Sequence, residues 1–282
     1  MSRSSGITKS PDELRALVRP GLVTAAALAA VREAIAVGVT TLELDAIAER
    51  VIRDAGGVPN FALEPGYRHT ICTSINEAVV HGVPSDRRIE PGDIVSIDCG
   101  ALVDGWNGDA AFSVVIPDDS RPELVARRTR LSEATERSLW AGIAAFATAS
   151  TLNEVGAAVE AVVDGWVVDD NGAPFGIIED FTGHGIGRSM HEEPTVFNYR
   201  IRGATPKVRP GLVIAIEPMV TLGTIETHVL ADDWTMVTDD GSDAAHWEHS
   251  VARHAGGIWV LTAEDGGAAG LAPYGVIPVP IP

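Results

Sequence analysis

Two stretches of the chain, PGDIVSID (Pro91 to Asp98) and PGLVIAIE (Pro210 to Glu217), share one design. Each opens on Pro-Gly, runs through apolar and small residues and stops on a carboxylate. Side chains alternate along a strand. Ile94, Ser96 and Asp98 therefore share one face of the first stretch, and Val213, Ala215 and Glu217 one face of the second. The residue two before each acid, Ser96 or Ala215, is small, which leaves room for an ion or water beside the carboxylate. Each acid also has a second acid within reach. Asp104-Gly105 is a hairpin-turn signal. With those two at the turn, Asp98 faces Ala111 and has Asp109 as a diagonal neighbour on the same face, about 7 Å away. In AAHWEHSVAR, His246, Glu248 and Ser250 alternate with Trp247, His249 and Val251, so Glu248 is expected to face Glu217 across a sheet. Two bare carboxylates at such spacing repel, and a cation or a raised pKa relieves the repulsion. A single acid at a strand end caps a turn or stays solvated. Four acids in two matching arrangements point instead to a hard, oxygen-rich metal site.

The histidines add a second set of groups. His184 and His191 lie in TGHGIGRSMHEEP, where Gly183, Gly185 and Gly187 oppose a helix. A Gly-rich strand or loop, open to close backbone approach, is expected there. The stretch is not a dinucleotide fingerprint, because the third Gly comes one position early. It is not a zinc-protease helix either, because His191-Glu192-Glu193-Pro194 lacks the second His. His81 ends the apolar run in NEAVVHGVP. Taken singly, each histidine reads as a hydrogen-bonded structural residue, and His69, His228, His246, His249 and His254 stay in that class. Cys72 reads as a small wall residue rather than a nucleophile. There is no nucleophile elbow and no Walker A loop.

These groups need elements to hold them. Ser10-Pro11-Asp12-Glu13 fits a helix start with a capping box, followed by an Ala-rich helical stretch over about 22–37. Thr40 to Glu43 repeats the box. Leu44, Ile47, Val51 and Ile52 recur at helical spacing, and Gly56-Gly57 ends that helix. Short strands are expected beyond residue 70. Helical texture returns over about 122–168, with a third capping box at Thr151 to Glu154, and strand texture over about 177–261. Thr41-Leu42 recurs as Thr151-Leu152, and Pro91-Gly92 as Pro210-Gly211, in the same order. The pattern implies two related α+β halves. The Gly- and Pro-rich tail after Leu261 is expected to wrap the surface as extended chain or to be partly disordered.

Composition narrows the function classes. A chain of 282 residues with 45% apolar residues allows one large domain or two modest ones. A formal charge of −18 opposes unspecific binding to nucleic acid or an anionic membrane. No run approaches the ~18 uninterrupted apolar residues of a membrane span, and MSRSSGITKS lacks the apolar middle of a secretory signal. Two cysteines, Cys72 and Cys99, do not make a disulfide framework. A cytoplasmic protein is expected.

With Asp98, Asp109, His184, Glu217 and Glu248 in this order, the sequence closely resembles the type I methionine aminopeptidases, in their compact bacterial form. The resemblance runs over about 14–262 and rests on TSINEAVVHGVP, DCGALVDGWNGDAAF, GHGIGRSMHEEP, IEPM and WEHS. It implies the α+β pita-bread fold: two pseudo-symmetric halves, about 14–120 and 121–262, with helices outside a curved antiparallel sheet. Residues 1–13 would form an N-terminal segment and 263–282 a tail. It also implies two divalent ions, cobalt, manganese, iron(II) or zinc. Asp98 would bind one ion, Asp109 and Glu248 would bridge both, and His184 and Glu217 would bind the other. Glu217 would also assist proton transfer at the attacking water, which the two ions activate. His81 and His191 would contact the substrate amide and the developing tetrahedral intermediate. Tyr67, Cys72, Met190 and Trp234 would line the methionine pocket.

The implied activity is removal of the initiator methionine from nascent proteins whose second residue is small. The implied partners are N-terminal methionyl peptides and nascent chains, with transient ribosome association, no membrane and no specific nucleic acid; the implied state is a monomer. Met190 stands where relatives commonly carry Phe, and Trp247 where Tyr or Phe is common. The N-terminal zinc-binding extension of eukaryotic type I enzymes and the type II insertion between His191 and Glu217 are both missing. Two rivals keep the fold. An Xaa-Pro peptidase shares the five ligands but usually carries a large N-terminal domain, for which the residues before Leu14 leave no room. A binding module typically loses ligands, and all five are present here.

Overall fold

The computed structural model describes residues 7–167 and 174–282. Residues 1–6 of the expected N-terminal segment, and Val168 at the end of the second helical stretch, lie outside the described residues. The chain opens with α1 (Pro11–Ala34) and α2 (Thr41–Asp54), then β1 (Val58–Pro59), β2 (Ile71–Ile75), β3 (Ala78–Val80), β4 (Ile94–Val103) and β5 (Trp106–Val115). Helices α3 (Pro122–Phe146) and α4 (Leu152–Val163) follow. Then come β6 (Gly176–Ile177), β7 (Gly183–Gly185), β8 (Glu192–Val196), β9 (Val213–Ile216), β10 (Met219–Thr221), β11 (Thr227–Val229), β12 (Met236–Thr238), β13 (Ala244–His246), β14 (Glu248–His254) and β15 (Gly257–Val260), with α5 (Ala268–Leu271) in the tail.

Three of the helices start as their sequences predict. The Glu13, Glu43 and Glu154 carboxylates accept the backbone N–H of Ser10, Thr40 and Thr151 at 2.7, 2.8 and 3.0 Å, which satisfies donors that a helix leaves free at its N-terminus. These caps correct the repeat by one residue. Thr151 is equivalent to Thr40, not to Thr41, because both are N-caps and both form isolated bridges, Thr40 to Arg88 and Thr151 to Lys207. Cap geometry, rather than the Thr-Leu identity, sets the correspondence. Gly92 and Gly211 match as well: both hold positive φ, 86° and 96°, at the turns that launch β4 and β9.

A long antiparallel sheet runs in the order β1-β4-β5-β14-β9-β7-β8, with β2 also on β4 and β15 on β14. Alternation divides its faces. Val95, Ile97, Cys99, Ala101 and Val103 of β4 pack with Val23, Ala27 and Val31 of α1 and Leu44, Ala48 and Ile52 of α2. Ile214, Ile216 and Val251 pack with Leu139, Ile143 and Phe146 of α3 and Val155 and Val159 of α4. The opposite face is left for polar groups. α1 is long and apolar enough to cross a membrane, with a mean hydropathy of 1.5 in its most apolar window. Its apolar side is core, however: Leu17, Ala27 and Val31 are fully buried. It runs through Pro20 as one helix and lies so close to β5 that a Cβ on Gly108 would sit 2.7 Å from the Pro20 carbonyl.

The tail is docked more firmly than expected. α5 buries Leu271 beside α3 and α4. Beyond it, the Val279 N–H donates to the Ile258 carbonyl at 2.9 Å, and the Val279 carbonyl lies 2.8 Å from His254 Nε2. A buried ion pair, which the sequence reading did not find, ties the outer elements together. Arg128 of α3 donates to both Asp243 oxygens, at 2.9 and 2.5 Å, and to the Gly92 carbonyl at 2.7 Å. Arg128→Met leaves Asp243 with only the half-exposed Arg127 guanidinium, 4.0 Å away, and we expect a loss of up to about 3–5 kcal/mol in urea unfolding. A loss below about 1 kcal/mol would show the pair to be solvated rather than buried.

Candidate metal centre and active-site pocket

Strand register places the acids. Cys72 pairs with Asp98, Asp98 with Ala111, and Ala111 with Glu248. The β14–β9 register, with His249 opposite Ile216, continues one step to set Glu248 beside Glu217. One row across four strands thus reads Asp98, Ala111, Glu248, Glu217. The next row reads Gly100, Asp109, Ser250, Ala215, and the β7–β9 pairing of Gly185 with Ile214 sets His184 beside Ala215. The hairpin is the expected one, with Asp109 diagonal to Asp98. β14 does more than expected, since it joins both acid pairs. The space over Gly100 is taken by the Asn60 side chain, whose Oδ1 a Cβ there would meet at 2.3 Å, while the small Ala111, Ser250 and Ala215 leave free volume between the acidic side chains. Ser96 does not. It flanks Asp98 on the side away from Asp109, because neighbouring strands run in opposite directions. There its hydroxyl bonds the Ser113 hydroxyl at 2.7 Å, which in turn donates to the His246 carbonyl.

All five expected ligands line one cavity of about 160 Å³. Asp109, His184 and Glu248 offer ligand atoms within 4.8 Å of one another, and His184 Nε2 lies 3.3 Å from Glu217 Oε1. Asp98 Oδ1, Asp109 Oδ1, Glu217 Oε1 and Glu248 Oε1 are buried without a hydrogen-bond partner. Unpaired buried carboxylate oxygens are costly, and their convergence fits bound cations. Burial pushes the Asp98 carboxyl up to about 7. Burial first, and then neighbouring carboxylates, push Asp109, Glu217 and Glu248 well up. Nδ1 of His184 lies 3.0 Å from the Gly185 carbonyl. The N–H therefore sits on Nδ1, and Nε2 is left with a free lone pair directed at the acids. Burial, and then His191, hold His184 down at about 4, so it is neutral at pH 7.

The other predicted residues surround this floor. His81, at a positive φ of 59°, follows β3, and burial followed by His191 lowers its pKa. Such a backbone in a non-glycine residue is costly and is common at functional sites. The His191 ring packs edge-on against His184 at 4.4 Å, and burial lowers its pKa too. Tyr67, Cys72, Met190 and Trp234 form a wall. Tyr67 meets Trp234 edge-on at 4.9 Å and donates its hydroxyl to the Ile71 carbonyl, so its ring faces the pocket's apolar side. Burial, and then Asp98, push the Cys72 thiol up, which keeps it an inert wall residue.

Trp247 lies outside the pocket. It alternates with Glu248, its indole N–H donates to Ser132 at 3.1 Å, and the Arg32 guanidinium lies over its ring. Of the histidines left to structure, His69, His228, His249 and His254 each contact an oxygen of Asp45, Asp239, Thr262 or Val279. His246 is buried with Nε2 unpartnered.

Three residues escaped the sequence reading. Phe61 and Glu64 line the pocket from the turn before Tyr67. Their spacing of three is the available signal, since i and i+3 eclipse in a 3₁₀ turn, here Phe61–Leu63 capped by Glu64. Asn198 donates to the Glu217 backbone carbonyl at 3.0 Å, fixing the strand end where Pro218 stops the ladder.

Comparison with known proteins fits this geometry. Residues 16–254 match the model of metallopeptidase family M24. Methionine aminopeptidase 1 of Mycobacterium tuberculosis is 48% identical over 255 residues, covering 90% of this chain and 94% of that protein. The chain belongs to the type I methionine aminopeptidases. The crystal structure of the methionine aminopeptidase of Thermotoga maritima superposes with a TM-score of 0.83 at 33% identity, over 94% of this chain and all of that one. The fold is therefore the pita-bread fold, and the enzyme is a metal-dependent methionine aminopeptidase. A prolidase from Pyrococcus furiosus shares the fold at a TM-score of 0.66 and 23% identity, with 91% of this chain matching 65% of that one.

The raised carboxyl pKa values make metal-free stability pH-dependent, with a definite sign. Each folded value lies above the unfolded one, near 4. The stability contribution is complete below about pH 4 and is lost as pH rises through the folded value, about 7 for Asp98. His184 and His249, both lowered to about 4, oppose this slope below their unfolded pKa of about 6.5. Asp98→Asn keeps those histidines. The chelator-treated wild type should therefore lose melting temperature relative to Asp98→Asn between pH 5 and pH 8. Parallel pH profiles would refute the burial of ionised Asp98.

Proposed function

We propose that this aminopeptidase removes the initiator methionine from nascent proteins with a small second residue, using two divalent ions. The observation that carries this reading is the convergence of Asp98, Glu248 and Glu217 from one row and Asp109 from the next, each with a buried and unpartnered oxygen, beside neutral His184 and an apolar wall. Asp109 and Glu248 stand at the centre of the set and would hold both ions. Asp98 would hold one, and His184 and Glu217 the other. When bound, the ions would lower the pKa of a water they hold and polarise the scissile carbonyl. The oxygen-rich set with one imidazole suits manganese, iron(II) or cobalt and also accepts zinc.

The chain's own residues supply the rest. Glu217, whose Oε1 has no hydrogen-bond partner, takes the proton of the attacking water and passes it to the leaving amine. Neutral His81 and His191 donate to the substrate amide and to the oxygen that gains charge. Removing one such donor elsewhere costs about 3 kcal/mol. The methionine side chain fills the cavity against Tyr67, Cys72, Met190 and Trp234, with Phe61 closing the same wall. A polarizable Met190 suits a thioether guest.

Stripping metal with a chelator should abolish cleavage of Met-Ala-Ser, and manganese or cobalt should restore it, with Met-Ala-Ser preferred over Ala-Pro peptides. Absence of peptidase activity in every metal state would sink the catalytic reading, and a preference for Ala-Pro would sink the methionine specificity. Asp109→Asn removes a ligand shared by both ions. Activity should fall by about a hundredfold or more, and bound metal should fall below that of wild type in elemental analysis.

A further inference from the structure

The charges lining the pocket do not balance once the floor is satisfied. The lining residues include Asp98, Asp109, Glu217, Glu248 and Glu64, three histidines, and neither lysine nor arginine. On the dinuclear reading, two divalent ions balance the four carboxylates of the floor. Glu64 remains as an uncompensated charge. It is exposed, it follows the 3₁₀ turn that carries Phe61, and its side chain has neither a hydrogen bond nor an ion pair among the described residues. It lines the same cavity as His191. Asp232, beside Trp234, is already engaged by the N–H groups of Trp234 and Thr235 and by the Thr235 hydroxyl.

Most exposed glutamates are simply solvated. The position of Glu64 separates it from them. With the methionine side chain against Tyr67, Cys72, Met190 and Trp234 and the scissile bond over the buried carboxylates, the remaining peptide must leave through the solvent-open mouth. Glu64 stands at that mouth on the His191 side. We infer that Glu64 is a specificity-determining residue that favours methionyl peptides carrying a lysine or arginine just beyond the second residue. The inference rests on the aminopeptidase reading. Acidic side chains at the same position meet a like charge and are disfavoured. The expected preference is that of an exposed ion pair, about two- to fivefold, and it weakens as salt screens the pair.

The test compares kcat/KM for Met-Ala-Lys-Ala and Met-Ala-Glu-Ala within each enzyme, manganese-loaded, for wild type, Glu64→Gln and Glu64→Lys. A ratio within one enzyme cancels any general loss of folding or activity in a variant. The Lys peptide should lead by about two- to fivefold in wild type. The ratio should approach unity in Glu64→Gln and in about 0.5 M salt, and should invert in Glu64→Lys. An unchanged ratio in Glu64→Gln overturns the inference while leaving the aminopeptidase reading intact. Failure to cleave either peptide overturns that reading, and the inference with it.

Discussion

The structure depends on one electrostatic constraint: four carboxylates share a buried face of a single sheet. In an apolar surround each ion loses solvation worth several kcal/mol, and each neighbour adds repulsion. Proteins usually answer by giving each buried acid a donor. Here the nearby donors are committed elsewhere. The Ser250 hydroxyl bonds the Asp109 backbone rather than its carboxylate, the His184 Nδ1–H is directed to the Gly185 carbonyl, and Asn198 serves the Glu217 backbone. The side-chain oxygens Asp98 Oδ1, Asp109 Oδ1, Glu217 Oε1 and Glu248 Oε1 are left bare. That is the arrangement a cation requires, and it explains why the intervening positions are Ala111, Ser250 and Ala215, whereas Gly100 makes room for the Asn60 side chain.

Register is what enforces the constraint. β14 pairs with β5 on one side and β9 on the other, so Glu248 is fixed from both sides. A one-residue slip of β14 would turn Glu248 toward the helices and bring Trp247 or His249 to the metal face. Arg32 stacked on Phe112 and Trp247, and the Trp247 indole bonded to Ser132, resist that slip from the helical side. Docking of α1 and α3 on the back of the sheet therefore serves the chemistry on its front, through side-chain alternation.

Much of this was legible in the chain because its devices are local. The capping boxes at Ser10, Thr40 and Thr151, the Asp104-Gly105 hairpin and the two Pro-Gly turns each involve neighbours in sequence, and each forms as read. The facing of Glu248 and Glu217 was also readable, because alternation within each strand fixes the face. Legibility failed where partners are distant. Nothing near Arg128 announces Asp243, and nothing near Asn198 announces Glu217. Ser96 showed that a small residue beside an acid need not leave space when a second serine arrives from the next strand. Of Met190 and Trp247, only Met190 lines the pocket.

The placement of the pocket residues separates chemistry from selection. Asp98, Asp109, His184 and Glu248 lie on strands, and Glu217 directly follows one, all held by ladders that tolerate no slip. Phe61, Tyr67, Met190 and Trp234 lie in the connections between strands, where a change of residue leaves the register alone. A sheet of this design can keep its metal site while its loops redefine what fits beside it. On the reading proposed above, selection falls to a wall of which Cys72 lies on β2, while Phe61, Tyr67, Met190 and Trp234 lie between the strands.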